Sequence, residues 1–271
     1  MGRFPKIVLL SLAGALLSGA VPAAAGSDRW PVGRERGVYT ARLRDSEAVL
    51  WRVEWETAVT EGPEGRLLEI RESGAGKPWE YDQPVTWKKK MRFALNPAPV
   101  FLGLESTRRT GAGAIYNQQQ VRVDPERRKM LSELRGEGEG PPIRKWLRWT
   151  EEVIPKEFMF HWTRSFDFSR REAADAMLLV SPTRLVRMEA EREGIEEVEV
   201  PAGRFLCHRL ELEPELGLLK LTPAMLLVPE MTLWCTVEPP HFWVRYTGPV
   251  GGRGSPEAVI ELVSFERGVA G

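Results

Sequence analysis

The sequence predicts a mainly β protein, a curved antiparallel sheet or half-open β-barrel with one or two short helices covering its concave side. Three observations lead there. Segments along most of the chain alternate apolar and polar residues with the period of two that gives a sheet one dry and one wet face. Turn-forming Gly and Pro separate them, as at Pro201-Ala202-Gly203, so consecutive segments pair as hairpins. Helical spacing is confined to residues 143–166. No linker or charge block divides the 271 residues, which one large β domain can hold.

The first residues carry Arg3 and Lys6, an apolar run from Ile7 to Leu17, and Ala23-Ala24-Ala25 before Gly26. Residues 1–25 therefore read as a secretory leader cleaved after Ala25. The run is shorter than the ~20 residues a bilayer-spanning helix needs. No Cys stands at the cleavage point, so no lipid anchor is expected, and the periplasm is the expected destination. Residues 26–37, rich in Arg, Pro and Gly, read as a loose segment preceding a single β-rich domain over 38–267.

Within that domain, Val49, Trp51, Val53, Trp55, Thr57 and Val59 alternate with Arg52, Glu54 and Glu56, a strand with one wet face. Glu61–Gly65 is a turn, and 66–71 the returning strand. Pro78, Pro84, Pro97 and Pro99 interrupt the next stretch, which suggests short edge strands or loops, with Lys88-Lys89-Lys90 as a solvated strand end. Residues 114–123 and 129–134 read as a further hairpin.

Ile143, Trp146, Leu147, Thr150 and Val153 recur at helical spacing, and so, after Pro155, do Phe158, Trp162, Ser165 and Phe166; two amphipathic helices are expected. Strands resume at Met177. Val198 and Val200 enter a hairpin turning at Pro201–Gly203 and returning through Phe205 to Leu212. An apolar stretch at 216–231 reads either as a buried strand with a packed loop or as a flap at a cavity mouth. Strands at 233–237, 241–246 and 258–265 complete a meander.

Several chemistries find no support. Acidic and basic residues balance at 38 each, and loss of Arg3 and Lys6 with the leader leaves a slight acidic excess, unlike the clustered positive surface of a nucleic-acid binder. The three histidines, His161, His208 and His241, form no metal-binding or catalytic motif. There is no Gly-x-Ser-x-Gly elbow, and Gly248–Gly254 lacks the Gly-Lys-Ser/Thr ending of a phosphate loop. No enzyme activity, metal or cofactor is expected. Cys207 and Cys235, an even pair in an exported chain, form either a disulfide or two small buried hydrophobes.

The run Glu196–Phe205, the Trp-bearing strand at 233–237, the Pro-rich corner at 238–240 and the Arg-Tyr-x-Gly step at Arg245–Gly248 resemble an uncharacterised bacterial envelope family related to the lipoprotein-localisation carriers. The resemblance covers about 158–265 and rests on turns and strand edges. It implies a half-open barrel with a helix just before the long strands, and an interior that can take an acyl chain. None of the carriers' functional residues maps onto this chain.

The ten tryptophans then acquire a second meaning beyond core packing. Trp51, Trp55, Phe158, Trp162 and Phe166 are the candidate lining of an interior ligand site. The expected function is non-enzymatic binding of a lipid, acyl chain or lipidated protein. The alternative is a filled barrel that docks another envelope protein, with the helix expected at 143–153 as docking element or membrane-surface contact.

Overall fold

The computed structural model describes residues 30–63, 65–96, 98–137, 140–169, 172–215, 230–250 and 255–268. The leader at 1–25 and most of the apolar stretch at 216–231 lie outside them.

Eight strands follow one another as an antiparallel meander: β1 (Gly33–Leu43), β2 (Val49–Gly62), β3 (Gly65–Gly76), β4 (Val85–Asn96), β5 (Ala98–Thr110), β6 (Ile115–Asp124), β7 (Lys129–Arg135) and β8 (Ile143–Arg148). A three-residue strand β9 (Val153–Pro155) leads into a short helical segment. A 3-10 turn (Lys156–Phe158), helix α1 (Met159–Trp162) and a second 3-10 turn (Thr163–Ser165) make up that segment. A second meander follows: β10 (Ala173–Ser181), β11 (Arg184–Val200), β12 (Gly203–Pro214), β13 (Thr232–Thr236), β14 (Trp243–Pro249) and β15 (Glu257–Arg267).

All strands belong to one 15-stranded sheet, because β15 pairs antiparallel with β1 and fuses the two meanders at the middle. The order runs from β8 at one edge through β1 and β15 to β9 at the other. Only the four positions 149–152 separate β8 from β9. An extended chain gains about 3.5 Å per residue, so the two edges must approach within roughly 17 Å. The sheet therefore curls nearly round on itself. Lys145 Nζ on β8 reaches the carbonyl of Thr183, beyond β10, at 3.3 Å, yet the two edge strands share no ladder. This is the half-open barrel that the sequence predicts.

Alternation decides which side chains enter the interior. On β2, Val53, Trp55, Thr57 and Val59 are buried while Arg52 and Glu54 are exposed, as the sequence pattern requires. On β4 the inward set is Val85, Trp87, Lys89, Met91, Phe93 and Leu95. β4 corrects the expectation for its region: it is a twelve-residue strand well inside the sheet, and Pro78 and Pro84 fall in the connection before it. β1 begins at Gly33, inside the segment read as loose, and Trp30 is already buried. The reason is an acidic residue with a partner: Glu35 is drawn inward by Arg164 at 2.5 Å and Arg267 at 2.9 Å.

The helical expectation is half corrected. Residues 143–148 form the edge strand β8, not a helix, and Ile143 and Trp146 are 56% and 55% exposed. Apolar spacing signals a helix only if those residues share a buried face, and here they do not. The second helical piece exists, shortened to α1 and its flanking turns.

Candidate functional site

The helical segment sits inside the curled sheet and touches both meanders. Phe158 packs on Phe93 of β4 with ring centres 4.1 Å apart, and Trp30 and His161 each lie 6.1 Å from it. His161 meets the edge of the Trp55 indole at 5.2 Å. Phe160 stacks on Trp243 of β14 at 4.0 Å, and Trp162 meets Phe166 at 5.2 Å. The series continues through Phe168, stacked on His208 of β12 at 4.0 Å. Ring pairs at these separations are preferred geometries, each worth about 0.5–1.5 kcal/mol beyond the area they bury.

Four of the five candidate lining residues, Trp55, Phe158, Trp162 and Phe166, thus lie in one continuous aromatic core. Trp51 is half-buried beside it, edge-on to Trp87 at 6.3 Å. The seats for these rings are cut to fit. A Cβ at Gly37 would come within 2.7 Å of the Trp55 indole, and one at Gly74 within 2.2 Å of the Trp87 indole.

Charges fasten the segment to the sheet, and they correct the reading of Lys88-Lys89-Lys90 as a solvated strand end, because Lys89 is turned inward. Lys89 on β4 lies 3.2 Å from Glu72 on β3 and 3.6 Å from Glu157. Burial pulls the Lys89 ammonium down, but the two carboxylates outweigh it and hold its pKa above the ordinary lysine value. Burial pushes the Glu72 carboxyl up, and Lys89 offsets this only in part. Burial acts the same way on Glu157, where Lys89 and Lys156 win and hold it below the ordinary value. Arg164, 1% exposed, joins Glu35 and lies 4.8 Å over the Trp30 ring. Lys89 could have been read as inward from its parity with Trp87 and Met91. Glu35 shares the inward parity of Tyr39 and Ala41, but the residues around it, Gly33 to Gly37, carry no large apolar side chain to mark the strand.

His161 and His208 are buried, and burial disfavours their charged forms. Desolvation drives His161 down to about 3, helped by Arg164. Desolvation also lowers His208 to about 4, and His241 and Arg192 add to it. His208 does face the apolar side, though its Nδ1 has no hydrogen-bond partner. His241 forms the corner after Pro240 with a left-handed φ of 56°, its Nδ1 2.9 Å from the Thr236 carbonyl.

Cys207 and Cys235 are free thiols on adjacent strands. Cys235 stands opposite His208, so period two sends the Cys207 side chain to the other face of the sheet. Burial pushes the Cys207 thiol up to about 12 and the Cys235 thiol also well above its ordinary value. Both behave as small hydrophobes.

Among the described residues, no group of three or more His, Cys, Asp or Glu is placed to hold a metal ion, and no helix is long and apolar enough to cross a membrane.

The outer face of β1–β5 differs in kind. It bears two adjoining grooves of about 730 and 580 Å³ that share Glu54, Ser73, Lys88 and Thr107. Their walls are charged side chains, and the inward-pointing Trp55, Glu72 and Lys89 border the larger along the same strands. Neither groove opens between the helical segment and the sheet.

The architecture is thus a curled, half-open antiparallel sheet around a core rich in aromatic rings, with two polar grooves on its outer face. No family model matches the chain, and no curated protein matches it. Solved structures do. One is a protein classed as exported, with a YmcC-like fold, from Bacteroides fragilis: 12% identity, 86% of this chain and 95% of that chain covered, TM-score 0.38. A second, classed as a lipoprotein, comes from Parabacteroides distasonis, with 9% identity, coverage of 87% and 96%, and a TM-score of 0.35. A porin-like protein from Bacteroides uniformis has 8% identity, coverage of 87% and 97%, and a TM-score of 0.21.

Proposed function

We propose that this is an exported, periplasmic, non-enzymatic binding protein whose barrel is filled by its own side chains and whose working surface is on the outside. The observation that carries the reading is the placement of the aromatics. Trp55, Phe158, Trp162 and Phe166 satisfy one another in the core, while the open grooves lie on the opposite face of β1–β5. Export rests on the leader-like residues 1–25. Catalysis has little to work with, because burial favours the neutral forms of His161 and His208 and the protonated thiols of Cys207 and Cys235.

One observation favours the function expected from the sequence, an amphiphile held in the half-open barrel. Trp51 is half-buried, and Ile143 and Trp146 are exposed on the unpaired edge strand β8.

Native mass spectrometry of the chain purified without detergent from an envelope fraction separates the two. A bare chain mass is expected. A co-purifying acyl-chain compound that leaves on denaturation and that Trp162→Ala no longer retains would overturn the filled-barrel reading.

A further inference from the structure

Strand register gives the smaller outer groove a definite layout. On one row across the sheet, Arg52 of β2 faces Ala75 of β3, which faces Thr86 of β4, which faces Arg109 of β5. The next row reads Glu54, Ser73, Lys88 and Thr107 on the same four strands. With strands about 4.8 Å apart, the Arg52 and Arg109 backbones stand roughly 14 Å from each other. Lys88 rises between them, one row along. The floor is made of short side chains, Ser73, Ala75, Thr86 and Thr107, three of which carry a hydroxyl.

The cations of this groove are not neutralised. In the neighbouring row Arg36 pairs with Glu266 at 2.5 Å, Arg71 with Glu69 at 2.6 Å, and Lys90 with Glu69 at 2.9 Å. Among the described residues, Arg52 and Lys88 have no carboxylate within ion-pair distance. Arg109 spends one N–H on the Gly113 carbonyl at 3.0 Å, which steadies the guanidinium and leaves its other donors free. A β-bulge at Arg108/Arg109 re-aims this strand end, a feature common where side chains are positioned for binding.

We propose that this groove binds an anionic polyol phosphate, a hydroxyl-rich unit bearing one phosphate, with Arg52, Lys88 and Arg109 around the phosphate. Ser73, Thr86 and Thr107 supply hydrogen bonds to the hydroxyls, and the Glu54 carboxylate accepts from them. Glu54 also sets the limit on charge, because it repels a dense polyanion such as nucleic acid. A volume of about 580 Å³ suits a unit of this size, since small-molecule sites span roughly 300–1,000 Å³. A sugar phosphate in solution and the headgroup of a glycerophospholipid present the same chemistry.

The test uses glucose 6-phosphate titrated into the whole protein, followed by calorimetry at low salt. A Kd near 100 µM, about −5.5 kcal/mol, is expected. Each of Arg52→Gln and Lys88→Gln should weaken it about tenfold, as loss of a charge-assisted hydrogen bond does. Arg71→Gln, from the paired row, should leave it unchanged. Glucose alone and inorganic phosphate should each bind more weakly than the compound that joins them. All three substituted side chains are exposed, and unchanged melting temperatures confirm that the variants fold.

Flotation with phosphatidylcholine vesicles, with and without phosphatidylglycerol, distinguishes the sources. Lys88-dependent capture by the anionic vesicles identifies a lipid headgroup, and binding of the soluble probe alone identifies a free sugar phosphate. No heat with glucose 6-phosphate up to about 10 mM and no capture by the vesicles would overturn the proposal. So would binding that Arg52→Gln and Lys88→Gln leave intact. An amphiphile that still co-purifies with the Arg52→Gln and Lys88→Gln variants, by contrast, would overturn the filled barrel and leave this groove standing.

Discussion

Lys88, Lys89 and Lys90 are consecutive on one strand and live in three different environments. Lys89 points inward and is held between two buried carboxylates. Lys90 points outward into an ion pair with Glu69. Lys88, also outward, stands over the groove with no carboxylate within ion-pair distance among the described residues. The difference shows that the two faces of this sheet do different work. The inner face spends its charge on holding a helical plug in one position, and the outer face leaves charge available.

The comparison is broken most sharply at Lys89. Lys89→Met removes the cation between Glu72 and Glu157 and leaves two buried carboxylates facing each other. Breaking a buried pair in this way typically costs about 3–5 kcal/mol, so a large drop in the urea midpoint is expected. A loss below about 1 kcal/mol would mean that water reaches the site and that the inner face is not dry.

Next in size is an acid sensitivity of the inner face. His161 ionises at about 3 in the fold against an ordinary 6.5, so folding favours its neutral form. Its contribution is complete above pH 6.5 and is lost as pH falls from there towards 3. Linkage puts the loss at about 2 kcal/mol by pH 5. His161→Phe, which keeps a ring between Trp30, Trp55 and Phe158, should flatten that part of the stability profile. His208, at about 4 in the fold, adds a parallel loss of similar size down to pH 5 that levels off sooner and that the variant retains.

Much of the architecture was legible in the sequence. The β2 alternation and the hairpin turning at Pro201–Gly203 are local patterns, and the structure contains both where the sequence places them. What was not legible is non-local. Nothing near Gly33 or Glu257 indicates that β1 and β15 will pair and join two meanders into one sheet. β8 misleads because Ile143 and Trp146 are apolar residues on an exposed edge, so their spacing reports no buried face. The aromatic candidates were visible as residues, but whether rings line a space or fill it depends on what packs against them across the sheet. The outer groove was hidden for the same reason. Its row of Arg52, Ala75, Thr86 and Arg109 exists only once four strands are in register.

Glycines sharpen the comparison at a smaller scale. A methyl group at Gly37 meets the Trp55 indole at 2.7 Å, whereas one at Gly136 meets nothing within 4 Å. Gly37→Ala forces either the indole or β1 to move, which in a packed core costs about 1–3 kcal/mol. Gly136→Ala should be silent. Near-UV circular dichroism adds a second readout, because displacement of Trp55 from Tyr39 and His161 changes the aromatic signal.

The smallest effects belong to the outer lysines, and they bear most directly on the division of labour. Lys90→Gln removes an exposed ion pair and should cost about 0.2–1 kcal/mol at low salt, shrinking as salt screens the pair. Glu69 carries the same signature: burial pushes its carboxyl up, Lys90 and Arg71 more than reverse that, and loss of Lys90 moves its pKa back towards the ordinary value. Lys88 has no such partner to lose. Lys88→Gln should therefore change stability by no more than about 0.5 kcal/mol, at any salt concentration. A Lys88 loss as large as that of Lys89 would mean that the faces of β4 are wrongly assigned, and the outer groove would lose its central cation. A silent Lys88, set against a costly Lys89 one residue away, places the structural charge of β4 on its inner face and leaves Lys88 open to test by the ligand titration alone.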